Sequence, residues 1–282
     1  MGDVLQAVGI GMLVMLVGTI PRNILFTANL RYQPSVPWAV PLTAAYLCAF
    51  WWYLRGGGPP DSTSEMRRTS LRANRVSGRI WAWALLAGGL GLVALVLALR
   101  VANRMVVLPQ QQIPDLSNVP VFTVWSLLLM GTPVAGLVEE AAFRGYMQGP
   151  IERRYGLAVA ILITGTMFAV AHLDFTLILW PYYVAVAAIY GSVTYLTNSV
   201  WPAVVLHTSG NIYSNSNLLL YGQAEWQASS DGAKLVWTAG ADAAFVRLSV
   251  ALLVVISGAV WAHIKLARVA RETLNPRVAS AV

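Results

Sequence analysis

Charged residues are scarce in this sequence. Only 11% of the 282 residues are Asp, Glu, Lys or Arg, whereas 57% are apolar and the mean hydropathy is +0.61. A soluble domain carries about 25% charged residues, so this composition excludes an ordinary soluble globular domain. We expect an all-α fold, a polytopic membrane helical bundle that forms a single integral membrane domain over residues 1–282.

Cysteine is also nearly absent. The single Cys48 lies in an apolar run, which excludes an intramolecular disulfide and any CxxC metal or redox pair. The apolar stretch after Asp3 lacks a basic flank and a small-residue cleavage site, so we expect a retained span rather than a removable signal peptide. No segment is long enough to form a basic soluble face, so the net charge of +7 reflects topology and predicts no nucleic-acid partner.

Long apolar runs are abundant, and a spanning helix needs about 20 such residues. Eight segments qualify: about 4–20, 36–54, 80–99, 121–143, 157–173, 176–197, 200–221 and 243–264. The loop 55–79 carries six arginines and is therefore expected in the cytoplasm, which also places both termini there. Its glycines and prolines predict flexibility. The few basic residues assigned to the opposite loops are Arg22, Arg31, Arg100, Arg104 and Lys234.

Ionisable residues inside predicted spans are the unusual feature, because each costs about 2.5–3.5 kcal/mol at the bilayer centre. The fourth span carries one such group, "LVEEAAFRG" at 137–145, and the fifth and seventh carry histidines. Arg247 lies four residues into the last span, where it can snorkel to the interface. Asp174 is expected to be a turn residue.

Helical spacing separates the two glutamates of the fourth span. Glu140 and Arg144 are four residues apart and can form an ion pair, whereas Glu139 lies about 100° away and is left over. An unpaired carboxylate in an apolar environment suits a general base. The alternative is that the helix ends near residue 143 and all three groups reach the cytoplasmic interface.

The histidines have plainer explanations as well. His207 and Asn211 are four residues apart in "VLHTSGN" and point the same way, which interhelical hydrogen bonding alone would explain. His172 follows Phe168 by one turn, and a histidine near the end of a span is often a packing residue. Three of the four middle-to-late spans, the fourth, fifth and seventh, nevertheless carry such residues, and together they favour a shared site.

The three motifs Glu139-Glu140-x-x-x-Arg144, Phe168-x-x-x-His172 and His207-x-x-x-Asn211 occur in this order on separate predicted spans. This pattern resembles the CPBP family of intramembrane endopeptidases, which contains the CAAX-prenyl proteases and the bacterial Abi-type relatives. The resemblance covers about residues 121–221, which would form the catalytic core. It implies an eight-helix fold and a hydrolase acting on a peptide or lipid-anchored protein substrate.

The resemblance also implies roles. Glu139 would activate water with His172 as its partner, and His207 and Asn211 would stabilise the oxyanion. Glu140 and Arg144 would form a supporting ion pair, and Phe168 also belongs to the supporting set. The family is often described as metalloproteases, and Glu139, His172 and His207 could hold zinc with an open fourth position. The sequence contains no HExxH, so the spacing leaves both a metal-free and a zinc mechanism open.

Two rival functions and one geometric difficulty remain from the sequence. A transporter could use the same residues as a proton relay, and a binding or immunity protein could keep the fold without turnover. Span counting places Glu139 near the inner end of its helix and His172 near the outer end of the next. We therefore expect the fourth helix to continue toward Gly149-Pro150 and the fifth to tilt. Substrate is expected to enter from the cytoplasmic side, where basic loops face anionic lipids.

Overall fold

A computed structural model describes residues 2–109, 115–222 and 234–274. Within these ranges the chain contains helices and no strand, which confirms the all-α membrane bundle. The long helices are α1 (Gly2–Tyr32), α2 (Ala39–Leu54), α4 (Gly78–Met105), α5 (Val121–Glu139), α7 (Leu157–Ala171), α8 (Trp180–Thr197), α9 (Trp201–Tyr221) and α11 (Ala243–Leu274). Short helices are α3 (Ser64–Leu71), α6 (Gln148–Tyr155) and α10 (Val236–Ala239).

Four helical stretches in the described ranges are long and apolar enough to cross a membrane. They are Gly2–Tyr32, Gly78–Met105, Val121–Tyr155 and Ala243–Thr273, and α2 and α7 are shorter apolar helices. The chain is therefore a membrane protein. The count of eight spans and the cytoplasmic position of both termini stay predictions.

The helix of the site does not end where the sequence suggested. After α5 the chain continues as a π-helix, Glu140–Met147, and then as α6 to Tyr155. The fourth predicted span, 121–143, is thus the first part of one 35-residue helical stretch. The helix was predicted to continue toward Gly149-Pro150; it runs beyond them to Tyr155, which keeps the two glutamates away from the helix end.

Several arginines assigned to loops lie inside helices, so that part of the topology was wrong. Arg22 and Arg31 belong to α1, which runs to Tyr32 through Pro21, and Arg100 and Arg104 belong to α4. At 1.5 Å per residue a 31-residue helix is about 46 Å long, which exceeds a hydrocarbon core of about 30 Å. Charged residues in the last turns of such a helix can therefore lie outside the hydrocarbon core while still being helical.

The basic loop is also more ordered than its glycines and prolines predicted. The buried Arg67 donates from Nη1 to the carbonyls of Tyr53 and Gly57, both at 2.7 Å, and from Nη2 to those of Gly58 and Pro60. A guanidinium offers five donors in a rigid fork. Hydrogen bonds from one arginine therefore hold the loop in a defined conformation, and the predicted flexibility was wrong.

Close helix packing brings the site together. α5 packs along α9, α7 along α8, α1 along the π segment, and α4 along α11. At Gly136 of α5, an added Cβ would lie 2.3 Å from Thr208 Oγ1 and 3.1 Å from the carbonyl oxygen of Val204 in α9. Only glycine permits this approach, and it occurs one turn before Glu140. The absence of a side chain at Gly136 therefore allows α9 to pack close to the glutamates.

Candidate active site

Glu139 and Glu140 lie at the junction of α5 and the π segment. Glu139 is the last residue of α5 and Glu140 the first of the π segment. Their exposed fractions are 8% and 0%, and that of Arg144 is 0%. The alternative in which all three reach an aqueous interface is therefore wrong, because the helix continues beyond them. π-helical turns occur frequently at functional sites.

Glu140 joins two charged partners. Its Oε2 lies 3.3 Å from Arg144 Nε, which is the ion pair predicted from the spacing, although the groups are not aligned as a hydrogen bond. Its Oε1 lies 2.8 Å from Nδ1 of His207, which belongs to the neighbouring helix α9. The sequence did not predict this second contact. Glu140 consequently links the EExxxR motif to the HxxxN motif.

Arg144 lies in an aromatic cage. Its guanidinium carbon is 5.8 Å from the ring centre of Phe143, 5.5 Å from that of Phe168 and 5.4 Å from that of Tyr190. Aromatic faces attract cations, and more strongly when water is excluded. The buried charge of Arg144 is thus balanced by Glu140 and by three rings.

His207 is held by a hydrogen bond at Nδ1, and its other ring nitrogen faces Glu139. Because an ionised Glu140 can only accept, Nδ1 of His207 carries a proton and donates it. Nε2 then faces Glu139, with 3.6 Å between Nε2 and Oε2. Tyr190 stacks on the imidazole with ring centres 4.9 Å apart and an interplanar angle of 14°. These contacts fix the ring plane and aim Nε2 at Glu139.

His172 is oriented by the end of its own helix. It follows Ala171, the last residue of α7, and its Nδ1 lies 2.9 Å from the carbonyl oxygen of Phe168. A carbonyl accepts only, so Nδ1 carries the proton and Nε2 of the neutral ring is an acceptor. Phe168 lies against His172 with ring centres 4.5 Å apart, and its centre is 6.2 Å from that of His207. Phe168 therefore separates the two imidazoles at a fixed spacing.

Two cavities meet at Glu139. The larger, about 500 Å³, lies among α4, α7, α8 and α9. The smaller, about 300 Å³, lies between α1, α5 and α9. Glu139, His172 and Asn211 line both of them, and His207 lines the larger. The structure thus brings the three predicted motifs to one place, which helical periodicity alone could not establish.

Both cavities lie away from the basic loop. α4 begins at Gly78 next to that loop, and Arg100, which lines the larger cavity, is 22 positions later, or about 33 Å along the helix. Arg22, in the far part of α1, lines the smaller cavity. The expected substrate entry beside the basic loop stays a prediction. The charges of Arg67 and Arg72 there are engaged by carbonyls and by Glu152, so they do not line a path to Glu139.

Sequence reasoning missed three residues of this region. Tyr190 stacks on His207, and its position in an apolar span carries no signal of that contact. Arg22 and Arg100 were assigned to loops, although both line cavities that contain Glu139. The signal for Arg22 was available: the apolar pattern resumes after it as "ILF", which indicates that the helix continues.

The donor set for zinc is not assembled here. Among the residues that the structure describes, no three His, Cys, Asp or Glu side chains are grouped as a metal ion requires. Nδ1 of His207 is bonded to Glu140 and Nδ1 of His172 to the carbonyl of Phe168, which leaves Nε2 of each ring as the nitrogen that could bind a metal. Glu139, His172 and His207 are thus not grouped as a metal site in the described structure, and metal dependence stays a prediction.

The fold and site define a helical membrane protein with a buried carboxylate and two imidazoles around a cavity. The family model described as "Type II CAAX prenyl endopeptidase Rce1-like" matches residues 121–213, which include all three motifs and make up about a third of the chain. This match confirms the resemblance to the CPBP family of intramembrane endopeptidases. The family consists of proteases, so the chain is a hydrolase. Comparisons with curated proteins and with solved structures gave no match.

Proposed function

We propose that this protein hydrolyses a peptide bond of a membrane-associated or lipid-anchored protein, with Glu139 as the general base. One observation carries the proposal. Glu139 Oε2 is buried, has no hydrogen-bond partner in the described part of the chain, and belongs to a residue that lines both cavities together with His172 and Asn211. A base must lie within one water of the proton that it removes, and Glu139 lines the cavities in which such a water would lie.

The first chemical step is attack by water. Glu139 removes a proton from a water molecule in the cavity, and the water oxygen bonds to the carbonyl carbon of the substrate. Nε2 of His172 is an acceptor, because Nδ1 is committed to the carbonyl of Phe168, so it can hold the second hydrogen of the same water. His172 therefore orients the nucleophile.

The second step is stabilisation and collapse of the tetrahedral intermediate. The side-chain amide of Asn211 donates to the oxyanion, and Nε2 of His207 joins it when that nitrogen carries a proton. Removing one such donor typically costs 10² to 10³ in rate. As the C–N bond breaks, Glu139 returns its proton to the leaving amine, so the carboxylate is regenerated and the products are a carboxylic acid and an amine.

Glu140 and Arg144 act as positioning residues in this scheme. Glu140 holds Nδ1 of His207 at 2.8 Å, and Arg144, whose Nε lies 3.3 Å from Glu140 Oε2, holds that carboxylate in place. Orientation of a catalytic group can be worth several orders of magnitude in rate. The pair thus acts on the reaction through His207.

The substrate class follows from the family description and the larger cavity. The matching family is named for CAAX prenyl endopeptidases, and a CAAX tail carries a lipid on its cysteine. The larger cavity is lined by many apolar side chains, among them Leu92, Leu95, Leu99 and Val186. We assign it to the apolar, lipid-bearing part of a prenylated protein tail.

The decisive experiment compares two buried glutamates of the same helical stretch. Purified wild-type protein, Glu139→Gln and Glu152→Gln are reconstituted in lipid nanodiscs and incubated with farnesylated CAAX peptides, and cleavage is followed by mass spectrometry. We expect Glu139→Gln to lose at least about 10³-fold in kcat with an unchanged melting temperature. Glu152, which pairs with Arg72 at 2.7 Å outside the cavities, serves as the control and should retain kcat.

Other outcomes would point to the rival functions. Cleavage by Glu139→Gln at the wild-type rate would contradict the proposal. A proton flux across proteoliposomes that depends on Glu139, without cleavage of any peptide, would support a transporter. Chelators should leave cleavage unchanged, and loss of activity with 1,10-phenanthroline that zinc restores would replace the metal-free scheme.

A further inference from the structure

Two arginines other than Arg144 lie beside the active site. Arg22 of α1 lines the smaller cavity and Arg100 of α4 the larger, and each cavity also contains Glu139. The Nε of each arginine is buried without a hydrogen-bond partner among the described residues. A cation inside a membrane bundle is costly unless an anion balances it. Both arginines therefore have unused capacity to bind an anion.

Arg22 is the better placed of the two. Its guanidinium lies over Phe26, 5.6 Å from the ring centre, and its Nη1 is 3.7 Å from the point that a Cβ at Gly131 of α5 would occupy. Its charge interacts with that of Glu139, but no carboxylate of the described chain lies within ion-pair distance of it. The guanidinium is thus near the base and separated from it by the cavity.

The remaining walls of the smaller cavity combine apolar side chains, such as Phe26 and Leu127, with polar groups of α9, which suits a short peptide tail. Asn211, Ser214 and Asn215 line it on the side of α9. Its volume of about 300 Å³ compares with about 500 Å³ for the larger, more apolar cavity. The two cavities meet at Glu139, so a peptide cleaved there has one part in each.

We propose that the smaller cavity receives the carboxyl-terminal end of the substrate and that Arg22 binds its terminal α-carboxylate. The inference rests on the proposed function, because a CAAX tail ends in a free carboxylate within three residues of the lipidated cysteine. Three extended residues span at most about 11 Å, which matches a subsite directly beside Glu139. Guanidinium groups bind carboxylates bidentately, and Arg22 would complete its hydrogen bonding only when substrate is present.

The test uses one farnesylated CAAX tetrapeptide in two forms, the free acid and the carboxyl-terminal amide. For wild-type protein in nanodiscs, we expect kcat/KM for the acid to exceed that for the amide by about 10- to 100-fold, as for loss of one charge-assisted pair. Arg22→Gln should remove this preference by raising KM for the acid to about that for the amide. Arg22→Lys should restore part of it.

Arg100→Gln is the matched control, since it removes the corresponding arginine from the other cavity. We expect it to keep the ratio of acid to amide. If Arg100→Gln abolishes the ratio and Arg22→Gln does not, the substrate runs in the opposite direction and the assignment is wrong. Equal rates for acid and amide in the wild type would also overturn it. If the effect of Arg22→Gln instead varies with anionic lipid content and not with the peptide terminus, the bound anion is a lipid phosphate.

Binding separates failure of this inference from failure of the proposed function. The same two peptides with a reduced, uncleavable scissile bond are titrated into wild type and Arg22→Gln. A tighter Kd for the acid in wild type only would support the Arg22 subsite even if no peptide were cleaved. Equal Kd values for acid and amide, together with normal cleavage, would reject the subsite and leave the protease proposal intact.

Discussion

Two buried arginines of this protein differ in how their charge is compensated. Arg67, in the basic loop, lies within hydrogen-bond distance of four backbone carbonyls and of Thr63 Oγ1. Arg144, in the bundle, has one carboxylate 3.3 Å away and three aromatic rings, and none of its three nitrogens makes an aligned hydrogen bond in the described chain. Both side chains are almost fully buried.

The difference shows that a buried arginine can have a structural role or a role at the site, depending on its partners. A saturated arginine such as Arg67 stabilises the segment that surrounds it, and nothing remains for a ligand to bind. An arginine compensated by a single carboxylate makes that carboxylate indispensable, and Glu140 also holds His207. Removing charge from the loop should therefore affect stability, and removing charge from the bundle should affect catalysis as well.

Among the variants that test this comparison, the largest effect is expected from Glu140→Gln. The substitution keeps the shape of the side chain but leaves Arg144 buried without a counter-charge, which typically costs 3–5 kcal/mol, and it weakens the orientation of His207. We expect a lower melting temperature and a fall in kcat of about 10²-fold, measured on protein that remains folded at the assay temperature. Normal kcat in folded Glu140→Gln would show that His207 needs no carboxylate partner.

Gly136→Ala should affect the same site through packing alone. The new methyl group would meet Thr208 Oγ1 at 2.3 Å and backbone atoms of α9 at 3.1–3.3 Å, so α5 and α9 must separate. Overpacking of this kind costs about 1–3 kcal/mol, and displacement of catalytic groups by about 1 Å can cost 10²-fold in rate.

Gly89→Ala is the control for that substitution, because nothing lies within 4 Å of an added Cβ at Gly89. The control should keep full activity and equal or greater stability, since alanine favours a helix interior over glycine. Equal behaviour of the two variants would contradict the tight α5–α9 contact.

Arg67→Gln tests the arginine whose role is structural. Several carbonyls of the loop lose their donor, so we expect a loss of about 1–3 kcal/mol in stability, read as a lower melting temperature in nanodiscs. The cavities contain no residue of this loop, and kcat should stay within about twofold of wild type. A large fall in kcat at an unchanged melting temperature would mean that the loop takes part in the reaction.

The smallest effect is expected at the exposed pair Glu65–Arg68. The side chains are 69% and 66% exposed, and surface ion pairs contribute about 0–1 kcal/mol because water screens them. Glu65→Gln should therefore leave both kcat and melting temperature within error of wild type. A clear destabilisation would indicate that this pair is covered by another chain or by lipid headgroups.

The sequence predicted the site better than its surroundings. The EExxxR, FxxxH and HxxxN motifs do meet, and the Glu140–Arg144 contact follows from a spacing of four residues. The link from Glu140 to His207 spans 67 positions, and no local pattern contains such a pairing. Roles of the individual site residues stay predictions until the variants are made.

Helix ends and loops were predicted less well, for a physical reason. Hydropathy indicates where a helix crosses lipid, but α1 and α4 extend past the apolar run, and the charges of Arg22 and Arg100 could not be placed from composition. The loop at 55–79 looked flexible because glycine and proline permit many conformations. The side chain of Arg67 orders the loop. Its partners are backbone carbonyls, which every residue has, so the sequence does not indicate these contacts.

The π segment changes the phase of a long helix at the site. Because its hydrogen bonds skip one more residue than those of an α-helix, the faces of α6 are out of phase with those of α5. Glu139 and Glu140 both precede this change, so a change of length beyond Met147 leaves them in place. Deleting one residue between Glu140 and Arg144 would instead alter the spacing of their ion pair and rotate α6 relative to α5.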